Sequence, residues 1–373
     1  MPLSRFQFCI VQSRKWRVWP DGRLLSSKAF NSLPENLLIG MGNPLLDISA
    51  VVDESVLQKY DLKPNDAIMA DAKHMPLYKE LTEKYNAEYI AGGSVQNSLR
   101  VIQWLIKKPK VCTYFGCVGD DKFAQILKER ASADGVNVMY QVNKEHPTGT
   151  CAVLVTGQNR SLCANLAAAQ KFTDDHLSQE ECKKAIESAK FFYTSGFFVA
   201  VSPESMMRLA KHSLENKQTF VFNVSAAFVS QFYKEPLEKL LPYVDLFFGN
   251  LEEAKVFAKD FDFKGTTIEE IALEISRLPK MDDRPRVVVI TQGNAPVVLV
   301  ENGKVIVTPV KPLSTDEIVD TNGAGDAFTG GFLAQLLLGK PYTECVNYGI
   351  YAARHVIQHS GCTFTGESEY KED

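Results

Sequence analysis

Between residues 37 and 291 short apolar runs alternate with amphipathic stretches, and this alternation restricts the fold more than any other feature of the chain. Residues 37–42, 111–119, 191–196, 219–224, 244–249 and 286–291 are short and rich in β-branched or aromatic side chains, and several end at glycine. They read as buried strands. Residues 94–107, 121–134, 174–190, 203–217, 251–261 and 267–278 lie between them and read as helices. Strand–helix alternation builds βαβ units, hence an α/β chain with a mostly parallel sheet covered by helices on both faces. Ligands of such sheets bind beyond the carboxyl ends of the strands. Residues 324–359 read as two further helices joined through Gly339-Lys340-Pro341.

Two segments, about 45–72 and 147–170, break the rhythm. They carry shorter strands at 49–52, 67–70 and 151–156. A small sheet beside the main one is expected, placed as a lid over the ligand crevice.

A chain of 373 residues buries about three quarters of its unfolded surface, enough for a large core. Its net charge of −4 gives no global argument for a nucleic-acid or membrane partner. No apolar run reaches the roughly 18 residues of a membrane span. The eight cysteines are scattered, with no Cys-x-x-Cys pair, as thiols are in a reducing compartment such as the cytoplasm. Residues 1–30 hold Arg5, Arg14, Lys15, Arg17, Arg23 and Lys28 against Asp21 alone. Residues 1–36 are therefore expected to be a disordered basic extension, with an organellar or nuclear targeting signal as the alternative. Residues 367–373 form an acidic tail.

The run Asp320-Thr321-Asn322-Gly323-Ala324-Gly325-Asp326-Ala327-Phe328 opens an apolar helix with glycines and a carboxylate. Amide groups at a helix start lack intrahelical partners and, with the dipole, attract anions. Glycine lets a phosphate approach the backbone. A carboxylate repels phosphate, so Asp326 makes chemical sense there as a base for an attacking hydroxyl; complementing the helix dipole is the plainer role. Asp326 at a helix start should stay ionised at neutral pH.

Other residues extend the pattern. Gly92-Gly93-Ser94, with Asn97 a turn later, opens a second helix where a ligand can come close. Asn43 and Asp47 follow the first strand, and a short carboxylate there can grip a vicinal diol. Asn250 and Glu253 begin the helix after strand 244–249 and could hold the waters of a Mg²⁺ ion; an acidic first helical turn is the simpler reading. Arg160 in the lid could reach a transferring phosphoryl group. Phe197, Phe198 and Phe228 follow strand ends and could cover a flat base or simply fill the core. Neither a Walker A motif nor a protein-kinase glycine loop is present.

Taken together, these motifs resemble the ribokinase-like (PfkB) family of small-molecule kinases. The match lies in Asp-Thr-Asn-Gly-Ala-Gly-Asp at 320–326, Gly92-Gly93-Ser94, and Asn250 with Glu253. Gly42-Asn43-Pro44-Leu45-Leu46-Asp47, Gly149-Thr150-Cys151 and Asn159-Arg160-Ser161-Leu162 resemble the branch acting on adenosine. The resemblance spans about residues 37–365. It implies a ribokinase-like three-layer α/β/α kinase domain at 37–366 with a small β lid, using ATP and Mg²⁺ and working as a monomer. By the same resemblance Asp47 would hold the ribose hydroxyls, helped by Asn43, Gly92, Gly93, Ser94 and Asn97. Leu45, Cys151, Leu162, Ala164, Leu166, Phe198 and Phe228 would line the base pocket. Asp326 would be the base, Gly323, Ala324 and Gly325 the anion hole, and Arg160 a phosphoryl contact. Thr291, Gly293 and Asn322, with Asn250 and Glu253, would serve the donor nucleotide and its metal. The chain departs from the pattern at Ala67, Met69 and Ile350.

Overall fold

The computed structural model describes residues 33–64, 67–157 and 159–366. The expected basic extension, up to residue 32, and the acidic tail at 367–373 lie outside the described residues. Leu33 is already buried in the core, so folded chain precedes the expected boundary at 37.

The chain enters through β1 (Leu38–Met41) and crosses into the lid with β2 (Leu45–Val51), α1 (Glu54–Lys59), β3 (Ala67–Met69), α2 (Met75–Lys84) and β4 (Glu88–Gly92). It returns through α3 (Ser94–Ile106), β5 (Cys112–Gly119), α4 (Lys122–Ala133) and β6 (Asn137–Asn143). A hairpin, β7 (Thr150–Thr156) and β8 (Asn159–Asn165), completes the lid. The main sheet then grows through α5 (Glu180–Ser188), β9 (Phe191–Ser195), α6 (Pro203–Glu215) and β10 (Thr219–Asn223). It continues with α7 (Phe228–Phe232), α8 (Lys234–Leu240), β11 (Leu246–Asn250), α9 (Leu251–Asp260), α10 (Ile268–Arg277) and β12 (Val287–Gln292). The antiparallel strands β13 (Ala295–Glu301) and β14 (Lys304–Thr308) precede α11 (Ala324–Leu337) and α12 (Tyr342–Val356).

The nine-stranded sheet runs β14-β13-β12-β11-β10-β9-β1-β5-β6 and is parallel except at β13 and β14. Successive side chains in its strands point to opposite faces. Phe192, Phe220, Phe222 and Phe247 meet α5, α6, α8, α9 and α10 on one side. Tyr193, Val221, Phe248 and Val289 meet α3, α11 and α12 on the other. Three layers result, as expected from the alternation.

The lid sheet runs β3-β8-β7-β2-β4. Its outer face packs Ile48, Ala50 and Leu154 against Leu57, Leu77 and Leu81 of α1 and α2. β4 falls where no strand was expected, and β8, which carries Arg160, is a second strand in the 147–170 segment beyond the one expected at 151–156. β6, α1, α2 and the β13–β14 hairpin were also unread. Among the described residues no helix is long and apolar enough to cross a membrane, and the seven described cysteines are free thiols.

In the main sheet β1 lies between β5 and β9, so strand order reverses there and a crevice opens beyond the strand ends. Helix α11 presses against α3 where Gly330 meets the carbonyl of Ser98 and the side chain of Val101. That close approach brings the N-termini of α3 and α11 together over the crevice.

Candidate active site

A cavity of about 490 Å³ lies between the main sheet and the lid. Asp326, in the first turn of α11, forms its floor. Ser94 Oγ donates to Asp326 Oδ1 at 2.7 Å, and Asn97 Nδ2 donates to Oδ2 at 3.1 Å. Ser98 Oγ donates to the backbone carbonyl of Asp326 at 2.9 Å. Burial raises the Asp326 carboxyl to about 6, while the hydrogen bonds from Ser94 and Asn97 pull the other way. Held above the ordinary aspartate range, the carboxylate is a better base than a surface aspartate.

Gly323 caps α11 in the left-handed region, φ 79°, where a side chain would be strained and would press on Cys362. A Cβ on Gly325 would meet nothing within 4 Å, so this backbone borders open cavity. The loop ahead is anchored by Asp320, which accepts from the amides of Asn322 (2.9 Å) and Gly361 (2.8 Å). Arg160 reaches across from β8, its Nε 3.5 Å from Asp320 Oδ2. It borders a smaller adjoining cavity with Thr321 and Asn322.

Asp47 lies mid-strand on β2, between Ile90 and Cys151 of the flanking strands. Its carboxylate packs on Gly92, where a Cβ would collide with both carboxylate oxygens. Burial raises Asp47 to about 7; Arg100 lowers it, and the charges of Asp326 and Asp320 raise it further. Asn43 donates Nδ2 to the carbonyl of Phe197 at 3.3 Å and lies at the β1–β9 switch point. Gly93 and Ser94 complete this side of the wall.

Leu45, Cys151, Val153, Leu162 and Phe197 make an apolar wall beside Asp47. Here the expectation for Phe198 is corrected. Phe198 is wholly buried, its ring 5.4 Å from Phe172 in the core, and Phe197 faces the cavity instead. Residues 196–198 form a single 3₁₀ turn, which sends neighbouring side chains in directions about 120° apart. Phe228 sits at the rim, half exposed, its ring centroid 6.0 Å from that of Phe197. Ala164 pairs with Cys151 across the lid, and the carbonyl of Leu166 packs on Gly149. Ala164 thus shares the face of β8 that carries Leu162, although neither it nor Leu166 lines this cavity.

Asn250 and Glu253 close a capping box at the start of α9. The amide of Glu253 donates to Asn250 Oδ1 (2.9 Å), and Asn250 donates from N (3.1 Å) and Nδ2 (2.7 Å) to the carboxylate. Burial raises Glu253 to about 7, backbone hydrogen bonds lower it, and Asp326 raises it. Among the described residues no group of three or more His, Cys, Asp or Glu could hold a metal directly. Two buried carboxylates that repel each other across one cavity do fit a divalent cation that keeps its waters. Thr291 pairs with Asn250 at the strand ends and lines the cavity, as does Asn322. Gly293 occupies the following turn, φ 62°, with open space around it.

Sequence reasoning missed Val153, Asn223, Ser225, Thr321, Gly361 and Cys362 as lining residues. It also missed Arg100, a lone charge within the apolar run Leu99-Arg100-Val101-Ile102, which is the one signal that marks it.

A lid over the crevice of a parallel sheet, with a buried carboxylate at a glycine-opened helix, defines a small-molecule kinase architecture, and the chain belongs to the pfkB family of carbohydrate kinases, which residues 56–369 match. Adenosine kinase 2 of Arabidopsis thaliana is 49% identical over 92% of this chain and 99% of its own length. The structure of Anopheles gambiae adenosine kinase in complex with P1,P4-di(adenosine-5) tetraphosphate is similar at TM-score 0.85, with 55% identity over 91% of this chain and all (100%) of that one. Schistosoma mansoni adenosine kinase in complex with adenosine and AMP gives TM-score 0.82 at 35% identity, covering 91% and 100% of the two chains. The family and fold class read from the motifs are borne out.

Proposed function

We propose that this protein transfers the γ-phosphoryl group of ATP to the 5′-hydroxyl of adenosine, giving AMP and ADP. One observation carries the reading. Asp326, a buried carboxylate, shares a single cavity with the α11 amide terminus on one side and with Asp47 and an apolar wall on the other. The kinship supports it: the relatives above are adenosine kinases. The compound bound by the mosquito enzyme carries two adenosines on one tetraphosphate.

In this mechanism Asp47 accepts hydrogen bonds from the ribose 2′- and 3′-hydroxyls, and Asn43 and Gly93 complete the grip. Leu45, Cys151, Val153, Leu162 and Phe197 cover the adenine, with Phe228 closing the rim. Ser94 and Asn97 hold Asp326 in place, and one of its oxygens takes the 5′-hydroxyl proton as the O–P bond forms. The transition state is loose, so the proton moves late and a base of modest strength suffices. Amides of Gly323, Ala324 and Gly325 receive the negative charge of the transferring group, and Arg160 steadies it from the lid. Thr291, Gly293 and Asn322 border the donor. Asn250 and Glu253 would hold the waters of Mg²⁺, which when bound offsets phosphate charge. Lid closure excludes water and limits wasteful ATP hydrolysis. Because the lid comes from the same chain, the site is complete in a monomer; a cytoplasmic enzyme without nucleic-acid or membrane partners is the corresponding setting.

The test is ADP formation from ATP and Mg²⁺ with adenosine, inosine, ribose or fructose as acceptor. Strong stimulation by adenosine alone is expected. A free sugar as the best acceptor overturns the reading, since the apolar wall offers sugars few polar partners.

A further inference from the structure

We propose that Arg100 is a positioning residue for this reaction, fixing which way round the Asn97 amide faces Asp326. The inference rests on the phosphoryl-transfer reading above. Arg100 follows Asn97 by three positions on α3, so the two share a helix face. It is buried and stands outside the cavity wall. Its Nη1 donates to Asn97 Oδ1 at 3.2 Å, to the carbonyl of Ala91 at 2.6 Å and to that of Cys362 at 3.2 Å. Its Nε donates to Asp134 Oδ2 at 2.6 Å, and the Phe364 ring lies 5.5 Å from the guanidinium carbon.

A guanidinium offers only donors and a carboxylate only acceptors. The amide of Asn97 lies between one of each, with Asp326 Oδ2 3.1 Å from its nitrogen. Only one orientation satisfies both neighbours. The reverse would set oxygen against oxygen at Asp326 and nitrogen against nitrogen at Arg100. Arg100 therefore determines that a donor, not an acceptor, touches the catalytic carboxylate. The bonds to the carbonyls of Ala91 and Cys362 anchor the guanidinium, so that the same nitrogen is held against Asn97 Oδ1.

The test is a double-mutant cycle on kcat with Arg100→Met, Asn97→Ala and the pair, together with Arg100→Lys. Arg100→Met should lower kcat about 10- to 30-fold with a smaller change in adenosine KM, and Arg100→Lys should lower it only about threefold. The pair should be no worse than Asn97→Ala alone, within about twofold, because both changes remove the same contact. Losses that multiply would show Arg100 acting independently of Asn97 and overturn the inference while leaving the reaction intact. If Arg100→Met does not fold, Arg100→Lys takes its place in the cycle under the same criterion. Failure of the unaltered protein to phosphorylate adenosine overturns both the reaction and the inference.

Discussion

Ser94 Oγ and Asp326 Oδ1 lie 2.7 Å apart although 232 positions separate them in the chain. One residue opens α3 and the other lies in the first turn of α11. The contact joins the starts of two helices that border one cavity, so under the proposed reaction the acceptor and donor halves of the site would share one carboxylate. Its consequences can be measured at several positions.

Asp47→Ala should weaken adenosine binding by about 3 kcal/mol, ~100-fold, as for loss of charge-assisted hydrogen bonds. The same contact should make 2′-deoxyadenosine and 3′-deoxyadenosine poor substrates. Equal kcat/KM for adenosine and both deoxy forms would remove Asp47 from the diol.

Gly323 and Gly325 should respond differently to alanine. Gly323→Ala meets a left-handed backbone and the Cys362 side chain, so it should lower both Tm and activity. Gly325→Ala enters open cavity, so Tm should change by no more than about 2 °C while kcat/KM for ATP falls at least ~10-fold. Full activity in folded Gly325→Ala would mean that phosphate does not approach that backbone.

Acidity should move activity and stability in opposite directions. Burial sets Asp47 and Glu253 at about 7 and Asp326 at about 6, all above ordinary carboxyls. Binding the diol and taking the proton both need ionised carboxylates, so kcat/KM for adenosine should drop at least ~10-fold between about pH 7.5 and 5.5. The three groups interact, so the profile reports the cluster rather than one residue. For stability, the folded protein holds protons that the unfolded chain has already released between about pH 4 and 7. Unfolding then releases protons, and these groups make stability fall as pH rises through that window. Scanning calorimetry of the ligand-free protein should show this slope, and Asp47→Asn should flatten it. An unchanged slope in Asp47→Asn would contradict a raised Asp47.

The neighbouring phenylalanines should separate binding from folding. Phe198→Ala should cost about 3–5 kcal/mol of stability, as for a large core truncation. Phe197→Ala should leave Tm nearly unchanged and raise adenosine KM at least ~10-fold. The opposite pattern in Tm and KM would restore Phe198 to the wall.

That pair also shows how far the sequence could be read. Strands such as 219–224 and 286–291 were legible because burial on both faces leaves an unbroken apolar centre, at 220–222 and 287–290. The glycine-opened helix at 323–326 was legible because its chemistry is local. Which of Phe197 and Phe198 faces the ligand depends on one 3₁₀ turn, and no apolar count distinguishes them. β4 begins with Glu88 and ends in Ala91-Gly92, and β8 carries Asn159, Arg160 and Asn165, so neither shows a clear strand run; both form because β2 and β7 offer them partners. The raised carboxyls of Asp47, Glu253 and Asp326 come from tertiary burial of acids distant in sequence. Arg100 belongs with them, since its partners Ala91, Asn97, Asp134 and Cys362 meet only in the folded chain.

The most direct measurement is single-turnover phosphorylation of adenosine by Asp326→Asn, paired with adenosine binding to the same variant. A rate loss of ~1,000-fold or more, with affinity changed no more than about threefold, is expected if the carboxylate takes the 5′-hydroxyl proton. AMP formation at a near-normal rate in that variant would contradict the account.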